Sequence, residues 1–317
     1  MIIRYQKYKF TIEASEALAL PDYKGSTFRG AFGNAFKRVV CALKRNDCRD
    51  CLLKTRCVYA YVFETSPPEG TDIMGMNKYE AVPHPFVIEP PVESKRAYNN
   101  GDILHFNLIL VGKGIDYLPY FIYTFEELGR IGIGKGRGRY KFLSVKDGDE
   151  PVYSIEDKVL RNTVSKELYV HEDFKPDPDM YSDSGLEDTI TIRFLTPARI
   201  KHQRSLAVEL EFHILIRSLL RRLCLLYYFH CGGKEPSWDY KGIIREAEKI
   251  VIEKDSLRWK DWERYSSRQD VRMKMGGVMG EVTYRGRLKP FTSILKAGSI
   301  LHIGKGTSFG LGKYEIQ

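Results

Sequence analysis

Four cysteines lie within one short stretch of a chain that holds only six. Their positions, Cys41, Cys48, Cys51 and Cys57, include a chelating Cys-x2-Cys pair with a further thiol on either side. The Lys, Arg, Asn and Asp residues between them are a poor setting for buried free thiols. The spacing predicts a structural four-thiolate zinc site, and it does not exclude an iron–sulfur cluster, which also takes four thiolates.

Two glycine-rich loops share the tetrapeptide Ile-Gly-Lys-Gly, at 133–136 and at 303–306. The first nearly matches a nucleotide phosphate loop, but Gly136 stands where a magnesium-binding Ser or Thr is required, and the segment runs from helix into strand. The dinucleotide fingerprint is excluded as well, because it must open a helix. Glycines let backbone approach a ligand closely, so these loops are predicted to bind phosphate, the alternative being plain turns with solvated lysines. The cations concerned are Lys135, Arg137, Lys305 and Lys313.

Seven histidines are candidates for proton transfer, and most are discounted by their context. His105 lies within a predicted strand and His171 in an acidic stretch, so a structural or solvated role is expected for each. His84, in the segment Pro83-His-Pro-Phe86, and His302, beside the second glycine loop, lie where a proton-transfer group could meet phosphates.

The charge balance favours a polyanionic partner. The 317 residues carry 50 Lys plus Arg against 41 Asp plus Glu, a formal net charge of +9, and 43% apolar residues exclude disordered and fibrous classes. Basic and aromatic residues interleave at 5–10, at 139–142 and along 272–287. Cations beside stacking surfaces suit single-stranded RNA, although aromatics on ordinary strands give the same pattern.

The elements that must position these residues follow the same order twice. Hydrophobic periodicity predicts strand, helix, two strands, helix and strand at 5–12, 28–43, 58–63, 103–111, 117–128 and 139–145. The second part repeats that order with a strand at 189–195, a helix at 206–229, a hairpin of 271–275 and 278–284, a helix at 291–295 and a strand at 313–316. A helical insert is predicted around 240–260. We therefore predict an α+β fold of two tandem ferredoxin-like (βαββαβ, RRM-like) domains.

The predicted domain boundaries follow the charge pattern. Residues 171–190 hold seven acids against one lysine, with interspersed Pro and Gly, which indicates a linker. The first domain spans 1–160, with the cysteine-rich metal-binding insertion near 41–57; the acidic linker spans 161–187 and the second domain 188–317. No secretory signal or membrane span is apparent, so a cytoplasmic protein is expected.

Several motifs resemble one family. The segment Gly304-Lys-Gly-Thr-Ser-Phe-Gly-Leu-Gly-Lys-Tyr314 resembles the C-terminal glycine-rich signature of the CRISPR-associated pre-crRNA-processing endoribonucleases, members of the RAMP superfamily of tandem ferredoxin-like proteins. Four further segments look like the same subfamily, and resemblance is weakest in the linker and in 232–260. These segments are 25–33 with the four cysteines, 83–88, 264–269 and 275–280.

The resemblance implies metal-independent cleavage of CRISPR repeat RNA by the ribose 2′-OH, giving a 2′,3′-cyclic phosphate and a 5′-OH. Family members commonly use a histidine near the first helix with a tyrosine or lysine, but here no histidine precedes His84. We therefore expect His84 as acid or base, Tyr23 and Lys24 as positioning and charge-stabilising partners, and His302 in reserve. The RNA-binding residues expected are Arg29, Lys135, Arg137, Arg139, Arg268, Arg272, Lys274, Arg285, Lys305 and Lys313.

A second function stays open at this point. Some relatives bind RNA without cutting it, so the chain could be a non-catalytic RAMP subunit that holds crRNA in an interference complex. The expected partners are CRISPR repeat RNA or crRNA and other CRISPR effector or adaptation subunits, for a monomer or homodimer. No cofactor is expected for catalysis.

Overall fold

The chain divides into two compact units, and each includes a short segment that lies apart from the rest of it in the sequence. The structure, a computed structural model, describes residues 1–44, 47–48, 50–68, 70–73, 82–171, 188–266 and 271–317, with backbone alone described for 264–266 and 271–272. The N-terminal unit comprises Arg4–Glu167 and Phe229–Cys231; the C-terminal unit comprises Met1–Ile3, Leu168–Tyr228 and Gly232–Gln317. Both units combine sheets with helices, so the fold is mixed α+β.

The first half of the chain builds an antiparallel sheet covered by two helices. Its elements are β1 (Ile2–Ala14), β2 (Leu18–Ala19), α1 (Gly25–Val40), β3 (Phe86–Glu89), β4 (Ala97–Tyr98), β5 (Ile103–Val111), α2 (Leu118–Ile131), β6 (Tyr140–Asp147), β7 (Glu150–Ser154) and β8 (Lys166–Tyr169). The strand order is β3-β5-β1-β6-β7, with Phe10 opposite Phe106 on one side and Val145 on the other. The alternation that predicted β1 is confirmed, because Tyr8, Phe10 and Ile12 are all buried.

The prediction of a strand at 58–63 is wrong. Residues 58 and 59 are helical and continue into a π-helical turn at Ala60–Glu64. The β-branched and aromatic residues favoured a strand, but the buried side chains, Tyr59, Val62 and Phe63, follow helical spacing. The place of that strand in the sheet is taken by β3, whose four residues are all buried.

A phenylalanine cluster joins the helices to the sheet of the N-terminal unit. Phe28, Phe32 and Phe36 recur every four residues and so share one face of α1. Phe32 stacks at 4.9 Å on Phe121 of α2 and meets Phe86 of β3 edge-on at 5.8 Å, between ring centroids. These contacts fix the rotation of α1 about its axis, and with it the direction of the polar side chains beside that face.

The second half of the chain builds a sheet of the same order. Its elements are β9 (Asp188–Ala198), β10 (Lys201–His202), β11 (Ser205–Leu206), α3 (Phe212–Leu226), α4 (Tyr240–Ala247), β12 (Val251–Asp255), β13 (Arg258–Lys260), β14 (Glu263–Ser266), β15 (Val271–Lys274), β16 (Gly277–Gly286), α5 (Thr292–Leu301) and β17 (Tyr314–Ile316). The order β12-β16-β9-β17 corresponds to β3-β5-β1-β6. In the first sheet β1 lies between β5 and β6, and in the second sheet β9 lies between β16 and β17.

Two predictions for the C-terminal unit are wrong. The predicted hairpin does not form, because β15 pairs with β14 whereas β16 pairs with β9, β12 and β13. The insert at 240–260 is helical only in α4 and continues as β12 and β13. All five residues of β12 are exposed, so their burial supplied no period that could identify the strand from sequence.

Part of the predicted acidic linker, 172–187, lies outside the described residues, and the part before it contains β8. Within the described part of the chain, no helix has the length and apolar character needed to cross a membrane.

Candidate functional site

His84 lies at the centre of a hydrogen-bonded chain in the N-terminal unit. Arg29 Nη2 lies 3.0 Å from His84 Nε2, and Thr65 Oγ1 lies 3.1 Å from His84 Nδ1. A guanidinium only donates, so Nε2 is the acceptor and the imidazole is neutral with its proton on Nδ1. That N–H donates to Thr65 Oγ1, whose own hydroxyl donates to the Val82 carbonyl at 2.9 Å. One tautomer therefore satisfies every bond in the chain.

Aromatic rings hold the imidazole in this orientation. His84 stacks on Phe86 with ring centroids 5.4 Å apart and an interplanar angle of 15°, and on Phe63 at 6.1 Å. The Arg29 guanidinium lies 4.0 Å from the centre of the Phe63 ring. Because His84 stays half-buried while its neighbours in β3 are enclosed, the ring is braced at a surface that a ligand can approach.

The arrangement brings a histidine to the first helix although none occurs there in the sequence. His84 and Arg29 are 55 positions apart, and nothing in either local pattern predicts their contact. Arg29 was predicted as a phosphate ligand, and the structure places it on the candidate acid or base. Thr65, which sequence reasoning missed, adopts a left-handed backbone with φ of 48° to reach Nδ1.

His230 supports the segment that precedes His84. Its context at the end of a long apolar helix suggested a structural role, and the N-terminal unit contains it through the segment Phe229–Cys231. His230 Nε2 donates to the Pro83 carbonyl at 2.9 Å, while Nδ1 accepts from the Tyr61 hydroxyl at 3.0 Å. His230 therefore braces the residue before His84, from 147 positions away.

Tyr23 and Lys24 lie at the start of α1 and have other partners. Lys24 is fully buried, and its Nζ donates to the carbonyls of Glu93 at 2.7 Å and Asp22 at 3.4 Å. Burial lowers the pKa of Lys24 and raises the pKa of Tyr23 well above its usual range, so Tyr23 is a neutral phenol at physiological pH. Lys24 thus anchors the beginning of α1, about 7.5 Å along the axis from Arg29.

The first glycine loop presents two exposed cations. Lys135 and Arg137 are exposed, and no ion pair or side-chain hydrogen bond engages either of them among the described residues. The Lys135 backbone N–H donates to the Ala19 carbonyl at 2.9 Å, which holds the loop against β2. Arg139 differs, because its guanidinium pairs with Glu16 and lowers the pKa of that carboxyl.

The second glycine loop exposes Lys305 but encloses His302. Lys305 is exposed and its backbone N–H donates to the Arg199 carbonyl at 2.9 Å. His302 is fully buried, and its Nδ1 lies 3.1 Å from the Leu311 carbonyl. This placement favours a structural role for His302. Lys313 is half-buried, with its N–H bonded to Thr196 Oγ1 at 2.9 Å.

A buried arginine, Arg222, supports the same loop from α3. Its Nε donates to the carbonyls of Leu301 and His302, both at 3.0 Å, at the end of α5. Burial lowers the pKa of Arg222 to about 9, which leaves it charged at neutral pH. The sequence signal for Arg222 was a charged residue within the apolar face of a helix, between Leu220 and Leu223. The carbonyl groups that Arg222 binds are evident only from the fold.

The remaining predicted RNA-binding residues lie around β15 and β16. Lys274 and Arg285 are exposed. Arg199, which sequence reasoning missed, donates from Nη1 to the carbonyls of Lys274 at 3.1 Å and Gly276 at 2.8 Å. The side chain of Arg272 and the whole of Arg268 lie outside the described residues.

The four clustered cysteines line one pocket together with Asp47 and Lys54. All four are half-buried free thiols. Among the residues described, no three His, Cys, Asp or Glu side chains are grouped as a metal coordination sphere. The donor set is nonetheless that of a thiolate metal site, and four thiolates suit zinc.

Comparison with known proteins identifies the family. Residues 3–165 match the AF_1859_N family of N-terminal domains, and residues 192–314 match the family of the CRISPR-associated endoribonuclease Cas6. An uncharacterized protein of Archaeoglobus fulgidus is 26% identical over 308 residues, which cover 94% of this chain and 93% of the relative. The first match covers just over half of the chain, so the chain belongs to the AF_1859_N family, and its C-terminal part is similar to the Cas6 family.

Solved structures share the fold. A Cas6 product complex superposes with a TM-score of 0.54 at 15% identity, covering 99% of this chain and all of the other. Thermus thermophilus Cas6 gives a TM-score of 0.53 at 14% identity, covering 99% of both chains. A chain of a partial Cas6-RT-Cas1–Cas2 complex gives 0.57 at 14% identity; 99% of this chain is covered, but only 46% of that longer one. At these identities the likeness concerns the fold.

Proposed function

We propose that this chain is an endoribonuclease that processes CRISPR RNA and that His84 is its proton-transfer residue. The observation that carries the proposal is the ordered, half-buried imidazole of His84 beside Arg29 of the first helix, in a chain whose residues 192–314 match the Cas6 endoribonuclease family. The similar Cas6 product complex adds support, because that structure is of a protein with its product.

The proposed reaction needs no group beyond RNA and side chains. The ribose 2′ oxygen attacks the adjacent phosphorus as its proton passes to a base, and the bond from phosphorus to the 5′ oxygen breaks as an acid protonates that oxygen. The products are a 2′,3′-cyclic phosphate and a 5′-OH, and one proton is taken up for each proton given. A cation must stabilise the charge that develops on the phosphorane.

The geometry supports distinct roles for the groups around His84. Nε2 of the neutral imidazole is an acceptor, so it is the atom that takes the 2′-OH proton, while the Thr65 hydroxyl fixes Nδ1–H. Arg29 holds Nε2 in the free protein and turns to the scissile phosphate when RNA binds. Tyr23, a neutral phenol, is a hydrogen-bond donor, and the buried Lys24 positions the start of α1.

We also propose that the two units are ferredoxin-like repeats that bind RNA through their basic loops. The equivalent strand orders of the two sheets support the repeat, and the exposed Lys135, Arg137 and Lys305 support phosphate contact. The similarity to a Cas6-RT-Cas1–Cas2 chain makes other CRISPR proteins candidate partners.

The experiment that tests the function uses the host's repeat RNA in excess EDTA, beside the same RNA with a single 2′-deoxy nucleotide at the cut site. Cleavage of the first RNA and sparing of the second, with a cyclic phosphate on the upstream product, is the expected result. Cleavage of the deoxy substrate would exclude attack by the 2′-OH. Tight binding without cleavage of either RNA would instead assign the chain to the subunits that only hold crRNA.

A further inference from the structure

The segment 41–57 has an unusual interior. Its four cysteines are half-buried, and every other described residue of the segment is exposed. Even the leucines point outward, with Leu52 87% exposed and Leu53 40% exposed. Ordinary loops bury their apolar side chains and expose polar ones, whereas here only the thiols face inward.

Regular secondary structure is sparse in the described part of this segment. In its described part the only helical element is a three-residue 3₁₀ turn, Lys54–Arg56, and no strand pairs with it. Because the described residues of this stretch are mostly exposed, a cross-link would lower the conformational entropy cost of holding them in one conformation. Four thiols lining a single pocket are the groups on hand to make one.

The backbone places three of the four cysteines at the end or the beginning of a helical turn. Cys41 caps the end of α1 through its N–H bond to the Lys37 carbonyl at 3.0 Å. The Cys51 carbonyl accepts from Lys54 N–H at 2.9 Å, and the Cys57 carbonyl accepts from Tyr61 N–H at 3.0 Å, so each cysteine begins a helical turn. Cys48 and Cys57 also pack against the hydrophobic core of the N-terminal unit.

The charge of the segment is complementary to a thiolate cluster. Four thiolates around Zn²⁺ carry a net charge of −2, and the segment itself holds five basic and two acidic residues. Lys54 lines the pocket, and the Lys37 ammonium reaches Cys48 and lies 5.3 Å from the centre of the Tyr59 ring beside it.

We propose that Cys41, Cys48, Cys51 and Cys57 bind one structural Zn²⁺ ion that cross-links the end of α1 to the segment before Ala60–Glu64. Tetrahedral coordination at about 2.3 Å requires sulfur atoms about 3.8 Å apart. The four thiols line one pocket without being grouped as a coordination sphere, so metal binding must draw them together. Each thiol gives up its proton as its sulfur binds the metal.

The experiment measures metal on the wild-type chain purified without added metal or chelator. Elemental analysis is expected to find about one zinc per chain, and Cys48→Ser and Cys51→Ser are expected to lose it. The matched control is Cys231→Ser, which removes a half-buried thiol outside the cluster and is expected to keep the zinc.

Two further measurements keep the proposal testable if the cluster variants fail to fold. Stripping zinc from the wild-type chain is expected to lower its thermal unfolding midpoint by several degrees, and zinc but not magnesium should restore it. Iron with visible absorbance would overturn the zinc assignment, because zinc complexes are colourless. A chain free of metal, or one whose zinc survives Cys51→Ser, would overturn the site. These readouts do not depend on RNA cleavage, so the site and the proposed function fail separately.

Discussion

Helices α2 and α5 end with the same backbone conformation but with different residues. Gly132 closes α2 at φ 87° and ψ 158°, and His302 closes α5 at φ 64° and ψ 168°. This region of backbone space is almost restricted to glycine, and a residue with a side chain is strained there by about 1–3 kcal/mol. The N-terminal unit therefore uses the residue that fits, whereas the C-terminal unit holds a histidine against strain.

The loops that follow repeat the same hydrogen bonds. Ile133 N–H donates to the Gly138 carbonyl at 2.9 Å, and Ile303 N–H donates to the Gly312 carbonyl at 3.0 Å. In each loop the lysine N–H then bonds a carbonyl close after the central strand, at 2.9 Å in both cases. The fold fixes this backbone in both units, so the units differ through the side chains placed on it.

His84 and His302 differ in burial and in the groups that they contact. His302 is sealed in the C-terminal unit, where its imidazole ties the start of the loop to Leu311 and offsets the strain of its backbone. His84 stays half-buried in the N-terminal unit, where a chain of hydrogen bonds fixes its tautomer. One histidine therefore holds a loop in place, and the other remains partly exposed at the surface.

The largest effect is expected from His84→Ala. Loss of a general acid or base lowers the rate of cleavage by about 10²–10⁴-fold, while RNA affinity stays near that of the wild type. Single-turnover cleavage and a binding titration on the same RNA check this. His105→Ala, which removes an exposed histidine of β5, is the matched control and should cleave normally. A normal rate in His84→Ala would refute the contrast between the two histidines.

A smaller effect, on stability, is expected at His302. His302→Ala keeps a strained backbone and loses the bond to Leu311, so it should lower the free energy of unfolding by about 1–3 kcal/mol. His302→Gly loses the same bond but relieves the strain, so its free energy of unfolding should be about 1 kcal/mol higher than that of His302→Ala. Urea unfolding of both variants measures the contribution of the hydrogen bond and that of the backbone strain. If the glycine variant were the less stable one, the strain argument would fail.

The smallest effects are expected from the two equivalent lysines, Lys135 and Lys305. Removing one phosphate contact should weaken RNA binding a few-fold and flatten the slope of log affinity against log salt by about 0.7 for a single strand. Titrations of Lys135→Ala and Lys305→Ala at several salt concentrations show whether both loops bind phosphate. An unchanged slope in one variant would confine RNA to the other loop.

The sequence by itself determined the features that depend on local period and local composition. The alternation of β1, the bounds of β5, the two Ile-Gly-Lys-Gly loops and the cysteine cluster are all readable from neighbouring residues. His84 was also singled out from its context between two prolines. Periodicity reports which face of an element is buried, so these predictions needed no knowledge of what lies against that face.

Only the tertiary structure decided which residues meet. β3 replaces the strand expected at 58–63, and β16 pairs with β9 instead of β15, because pairing partners depend on the whole sheet. The contacts of His84 with Arg29 and Thr65 bridge 55 and 19 positions. Local sequence does not encode such distances, since the packing of α1 on the sheet sets them. Packing within the C-terminal unit encloses His302, whereas packing within the N-terminal unit leaves His84 half-buried.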